Sequence, residues 1–119
     1  MSQTLYERLG GTEGITNLAS DLVDNHLRNP RIAARFSATN VPKAKQGAAT
    51  FFIAATGGPQ VYEGQDMATV HKGMNISADE LVAVMEDALE ALARNNVGQR
   101  ECEEVLFALF SMRGQIVRT

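Results

Sequence analysis

Apolar residues recur along most of the chain at three- and four-residue intervals, the spacing of one face of a helix. The clearest run is Ile15, Leu18, Ala19, Leu22, Val23, His26 and Leu27, with Asp21, Asp24 and Asn25 off that face. Thr12 reads as its N-cap, since a hydroxyl there can accept a bond from an early N–H. Asn29-Pro30 closes it, because the residue before proline resists the helical conformation. A shorter piece, Leu5 to Leu9, comes first and is broken by Gly10-Gly11. Ile32 to Phe36 is a short turn expected to place Phe36 inside, and Ser37-Ala38-Thr39-Asn40 is a loop.

Pro42 suits the first turn of the next helix. Its apolar stripe is Ala44, Ala48, Phe51, Phe52 and Ala55, and it must stop at Gly57-Gly58-Pro59. The segment from Gly57 to Asp66 has little helical character and is long for a small domain, where ~4–6 residues are usual. A short apolar turn, Met67 to Val70, then carries His71, and Gly73 ends it. Ser77-Ala78-Asp79-Glu80 has the form of a capping box. The helix behind it is expected to bury Leu81, Val84, Met85, Ala88, Leu89 and Leu92 and to end near Asn95-Asn96. A last helix starts near Gly98, buries Val105, Leu106, Leu109, Phe110 and Met112, and continues toward Val117. No segment alternates with period two for long enough to form a strand, so the pattern predicts an all-α fold. A length of 119 residues predicts a single domain, 1–119.

Composition narrows the function classes. A net charge of −3 leaves no basic footprint for nucleic acid. No long uncharged apolar run is present, so no membrane span is expected. The first residues lack the basic-then-apolar pattern of a signal peptide, and the one cysteine, Cys102, excludes an internal disulfide; both point to the cytoplasm. Glu101, Glu103 and Glu104 are expected to raise the Cys102 pKa by like-charge repulsion, which argues against a reactive thiolate. The chain contains no CxxC, P-loop or GxGxxG.

The candidate chemistry rests on His71. A histidine on a short turn between breakers can present its ring to the interior, although a lone histidine is more often structural. The small residues Ala44, Ala48, Ala54 and Ala55 lie along one helix. Opposite bulky neighbours they leave space, which costs stability unless a ligand fills it.

Taken together, several stretches resemble a truncated haemoglobin of the first group over essentially the whole chain. They are Leu5-Tyr6-Glu7-Arg8-Leu9-Gly10-Gly11, Asn29-Pro30-Arg31-Ile32 with Arg35-Phe36, and Phe51-Phe52 through Thr56-Gly57-Gly58-Pro59. Val61-Tyr62-Glu63-Gly64, Met67 with Val70-His71-Lys72-Gly73, and Ile76 follow. The resemblance implies a two-over-two helical sandwich around a haem b, with the proximal-histidine helix reduced to about one turn. It implies that His71 ligates iron and that its other ring nitrogen donates to a nearby backbone carbonyl. Phe36 matches the phenylalanine on the haem face, and Phe51, Phe52, Met67 and Ile76 match wall positions. Thr39, Tyr62 and Lys72 are candidates for the propionate edge.

The distal side departs from the family pattern. Family members commonly carry a tyrosine on the second helix and a polar residue on the helix above the haem. Here Val23, Ala44 and Ala48 occupy those positions, and none can donate a hydrogen bond. A donor to a partly charged acceptor contributes roughly 1.5–3 kcal/mol, so its loss would weaken oxygen retention by about one to two orders of magnitude. His26, one turn beyond Val23 on the same face, is the remaining polar candidate, and a structural role is favoured for it over hydrogen bonding to ligand or binding iron. The function implied is reversible binding of a diatomic gas: oxygen, nitric oxide or carbon monoxide. The alternatives are a nitric oxide dioxygenase served by an external reductase, and a haem-based gas or redox sensor.

Overall fold

The computed structural model describes residues 3–36, 39–64 and 66–117, and for positions 68 and 70 the backbone alone. Ser37 and Ala38 of the expected loop, and the Val70 side chain of the expected apolar turn, lie outside the described residues. The helices are α1 (Leu5–Arg8), α2 (Gly11–Arg28), a 3-10 turn (Ala33–Phe36), α3 (Val41–Ala55), α4 (Met67–His71), α5 (Ala78–Arg94), α6 (Gln99–Ser111) and α7 (Arg113–Ile116). Among the described residues no strand forms; a single bridge joins Ile76 to Val117. No helix of these residues is long and apolar enough to cross a membrane.

Two helix pairs make up the body. α2 lies along α3, α5 lies along α6, and α2 also packs against α5. The shared core is Leu9, Ile15, Leu18, Leu22, Ile53, Ala88, Ala91, Leu92, Val105 and Leu109. Ile15 and Leu92 are fully enclosed, and burying a side chain of that kind stabilises a fold by about 1.5–3 kcal/mol.

Several boundaries follow from local chemistry. α5 opens with the expected capping box: Ser77 Oγ accepts from the Glu80 N–H, and Glu80 Oε1 accepts from the Ser77 N–H, both at 3.1 Å. It ends at Asn95, and α2 ends at Asn29, as the sequence predicts. α1 carries a second capping box, Thr4 with Glu7.

Five expectations need correction. Thr12 is not the N-cap of α2. Gly10 turns the chain in the left-handed region, φ +98°, so the helix starts directly at Gly11, and the Thr12 hydroxyl instead shares a 2.7 Å hydrogen bond with Tyr6 Oη. Asn25 is not on an outer face; it is buried, and its Nδ2 donates to the Asp87 carbonyl and to Glu90 Oε1. Leu89 and Phe110 are exposed, because α5 and α6 turn narrower apolar faces inward than the sequence stripes suggest. On α3 the fully buried residues are Ala49 and Ile53, which face α2. The expected stripe fares differently: Ala44, Ala48, Phe51 and Phe52 are half-buried and Ala55 is exposed. The last helix also breaks at Met112 before α7.

Candidate functional site

The site is built around α4. Asp66 caps this helix by accepting from the Thr69 N–H at 3.2 Å; hydrogen bonding from the Thr69 side chain first, and then from this N–H, pulls the Asp66 pKa below the usual carboxylate range. His71 is its last residue, and the chain leaves through Gly73 at φ +83°. His71 Nδ1 lies 2.8 Å from the Met67 carbonyl oxygen, one helical turn back. A carbonyl can only accept, so Nδ1 carries the proton and the ring lone pair resides on Nε2. That is the ring orientation and tautomer a metal-ligating histidine needs.

A cavity of about 270 Å³ adjoins the ring. Phe36, His71 and Ile76 line it together, with Ile32, Arg35, Met74, Glu80, Leu81, Val84 and Ile116. Phe36 is thus brought to one space with His71 and Ile76, from a stretch distant in sequence. Phe51, Phe52 and Tyr62 form a separate aromatic group on α3 and the following loop. Phe51 meets both neighbours edge-on, with centroids 5.7 Å from Phe52 and 5.3 Å from Tyr62. Met67, Thr39 and Tyr62 are half-buried, and Lys72 is exposed at the end of α4.

On α2, Val23 and His26 are both buried. His26 Nδ1 lies 2.7 Å from Asp87 Oδ2 on α5. Asn29 Nδ2 donates to the same carboxylate, and the His26 ring stacks on Phe36 at 5.6 Å. The partner of His26 is a carboxylate on another helix, where backbone or water would satisfy the structural role expected of it. Arg35, Met74 and Ile116 of the cavity wall were missed as site residues. Arg35 stands beside Phe36 in the motif, but its partners lie 39 and 45 residues away and leave no local signal.

A wider groove of about 570 Å³ runs past α2, α3 and the loop after them, lined by Thr16, Ser20, Ala49, Ile53 and Val61 among others. Among the described residues Lys45 is its one ionisable lining residue, and Lys45 pairs with Asp24 at 2.9 Å. No groups of three or more His, Cys, Asp or Glu among the described residues could hold a bare metal ion. Cys102 donates to the Val97 carbonyl at 3.7 Å. Its pKa is raised as expected, but burial is the larger cause, followed by Glu101 and then Glu103. Glu104, expected to contribute, is not among the causes.

Comparison with known proteins supports the same reading. The chain is 28% identical over 113 residues to the group 1 truncated hemoglobin GlbN of Mycolicibacterium paratuberculosis, covering 95% of this chain and 83% of that protein. It is 25% identical over 114 residues to its counterpart from a Nostoc species, covering 96% and 97% of the two chains. The crystal structure of the Tetrahymena pyriformis truncated hemoglobin, in its Fe(III) form, superposes with a TM-score of 0.94 at 25% identity, covering 98% of this chain and 100% of that one. The 2/2 hemoglobin of a Synechococcus species, solved with covalently attached heme, superposes at 0.86 and 25% identity, with 95% of each chain covered. The bacterial-like globin family model matches residues 4–117, which take in every helix and the lining of the cavity beside His71, and the chain belongs to that family.

Proposed function

We propose that this globin binds haem b with His71 as its proximal iron ligand and uses it to bind a diatomic gas reversibly. The observation that carries the reading is the 2.8 Å contact from His71 Nδ1 to the Met67 carbonyl, which orients the ring and sets the tautomer that a metal-ligating histidine needs. The surroundings fit a flat apolar cofactor: Phe36 and Ile76 share the cavity with His71, and the half-buried Phe51, Phe52 and Met67, which lie outside that cavity's lining, would add apolar wall by the family resemblance. Thr39, Tyr62 and the exposed Lys72 would face its carboxylates. When bound, the haem supplies an iron that coordinates a small gas reversibly.

The chain's own residues decide how long that gas stays. Val23 is buried and Ala44 and Ala48 are half-buried, and none of the three has a polar side-chain atom. His26, the remaining polar candidate, is directed at Asp87 and stacked on Phe36. A polar ligand would therefore be held without side-chain donors from these positions. That favours fast reversible binding over a nitric oxide dioxygenase, which needs oxygen retained until nitric oxide arrives.

The test is an absorption spectrum of purified protein reconstituted with haem, beside His71→Ala. The unmodified chain is expected to take one haem with a Soret band, and His71→Ala to lose it. Normal haem retention and an unchanged spectrum in His71→Ala, without added imidazole, would overturn the assignment.

A further inference from the structure

The expected haem-facing residues Phe36 and His71 line one cavity but are far apart in sequence. One side chain joins their two segments. Arg35, next to Phe36, donates from Nε and Nη2 to the two carboxylate oxygens of Glu80, at 2.5 and 2.9 Å. Its remaining nitrogen, Nη1, donates to the Met74 carbonyl at 2.8 Å. The Met74 N–H in turn donates to the carbonyl of His71 at 3.1 Å. Glu80 is also the capping residue that fixes the first turn of α5 through Ser77.

We propose that Arg35 is a positioning residue for the cofactor: its fork ties the Phe36 segment to the turn behind His71 and to α5, and so sets the spacing between the Phe36 ring and the His71 imidazole. The proposal rests on the haem reading given above. Three features support it over a surface ion pair. The carboxylate contact is a two-bond fork, which fixes orientation as well as distance. The same guanidinium also holds a backbone carbonyl, three residues beyond His71. Arg35, Met74 and Glu80 line the same cavity as Phe36 and His71, so movement of the clasp reshapes the space itself. Each is needed because α4 is only five residues long and ends at His71, leaving its own hydrogen-bond ladder too short to hold the ring rigidly.

The test compares the haem-loaded unmodified protein with Arg35→Met, which keeps the stem but loses every donor, and with Arg35→Lys. Three measurements are made: far-UV circular dichroism, the rate of haem loss to excess apomyoglobin, and the iron–imidazole stretching frequency of the ferrous form. Arg35→Met is expected to keep its helix content and one-to-one haem, to lose haem roughly 10- to 100-fold faster, as found when residues supporting a metal ligand are removed, and to show a shifted iron–imidazole band. Arg35→Lys, which restores a charge but not the fork, should fall between the two. Haem loss and band position unchanged in Arg35→Met would overturn the positioning role while leaving His71 as ligand. So would faster loss with an unshifted band, since that is general destabilisation. Failure of the unmodified chain to bind haem would remove the cofactor reading and this role together.

Discussion

His26 shows how a polar residue on a helix face can be spoken for by a partner that the helix itself does not contain. The imidazole meets Asp87 across the α2–α5 contact, with both side chains largely enclosed. Replacing it with Leu keeps the volume roughly but leaves Asp87 with Asn29 as its other donor. Hydrogen bonds to charged groups contribute about 1.5–3 kcal/mol, and His26→Leu is expected to lose stability in that range in urea. Gas dissociation rates of the loaded protein should not change. A faster oxygen dissociation with an unchanged carbon monoxide rate would instead make His26 a donor to ligand. Glu80 gives the second prediction at this scale. Arg35 first, and then the Ser77 N–H, hold its pKa down at about 2, from 4.5. A lowered carboxylate pKa stabilises the fold above the unfolded value and ceases to do so as pH falls through the folded one. The stability advantage of the native chain over Glu80→Gln should therefore be full above about pH 4.5 and shrink toward about pH 2, read from melting temperatures across that window.

Among the elements, α1 is too short to hold itself and is fixed by what it touches. The Tyr6 N–H donates to the Thr56 carbonyl at the end of α3, 2.9 Å away, and Arg8 reaches Glu101 and Glu104 on α6. Gly58 makes the first of these contacts close enough. A Cβ at that position would fall 2.5 Å from the Tyr6 ring and 2.8 Å from the Ile53 carbonyl. The ring cannot swing away freely, because its hydroxyl is bonded to Thr12. Gly58→Ala is expected to cost about 1–3 kcal/mol by overpacking, measured by chemical denaturation. An unchanged midpoint would show that α1 can shift without loss.

For the whole molecule, binding and stability are linked. A cofactor that binds only the folded chain stabilises it by about 4 kcal/mol at a thousandfold excess over its Kd. For a domain of this size that is a rise in Tm of more than roughly 10 °C. The melting temperature should climb with added haem and be insensitive to it in His71→Ala. An equal climb in both would mean that haem binds somewhere other than beside His71.

The sequence by itself determined the helices and their order. Periodicity, prolines and capping residues act over a few positions, so α3, α5 and α6 and the turn bearing His71 were legible before any packing was known. The family resemblance singled out His71, Phe36 and Ile76, which line one cavity in the structure, and the sequence shows the nonpolar character of Val23, Ala44 and Ala48. A bond from the His71 ring to a nearby backbone carbonyl was implied by the family resemblance, and the structure shows the acceptor to be Met67, one turn back. Tertiary structure decided what distant partners do. It buried Asn25 and turned His26 to Asp87, 62 and 61 residues away for their α5 contacts. It left Leu89 and Phe110 exposed, and it made Arg35 a bridge across the cavity rim. Each of these outcomes depends on which helix faces meet, and a pattern of apolar positions specifies the width of a face less closely than its existence. Side-chain pairing across helices leaves no periodic trace in the chain.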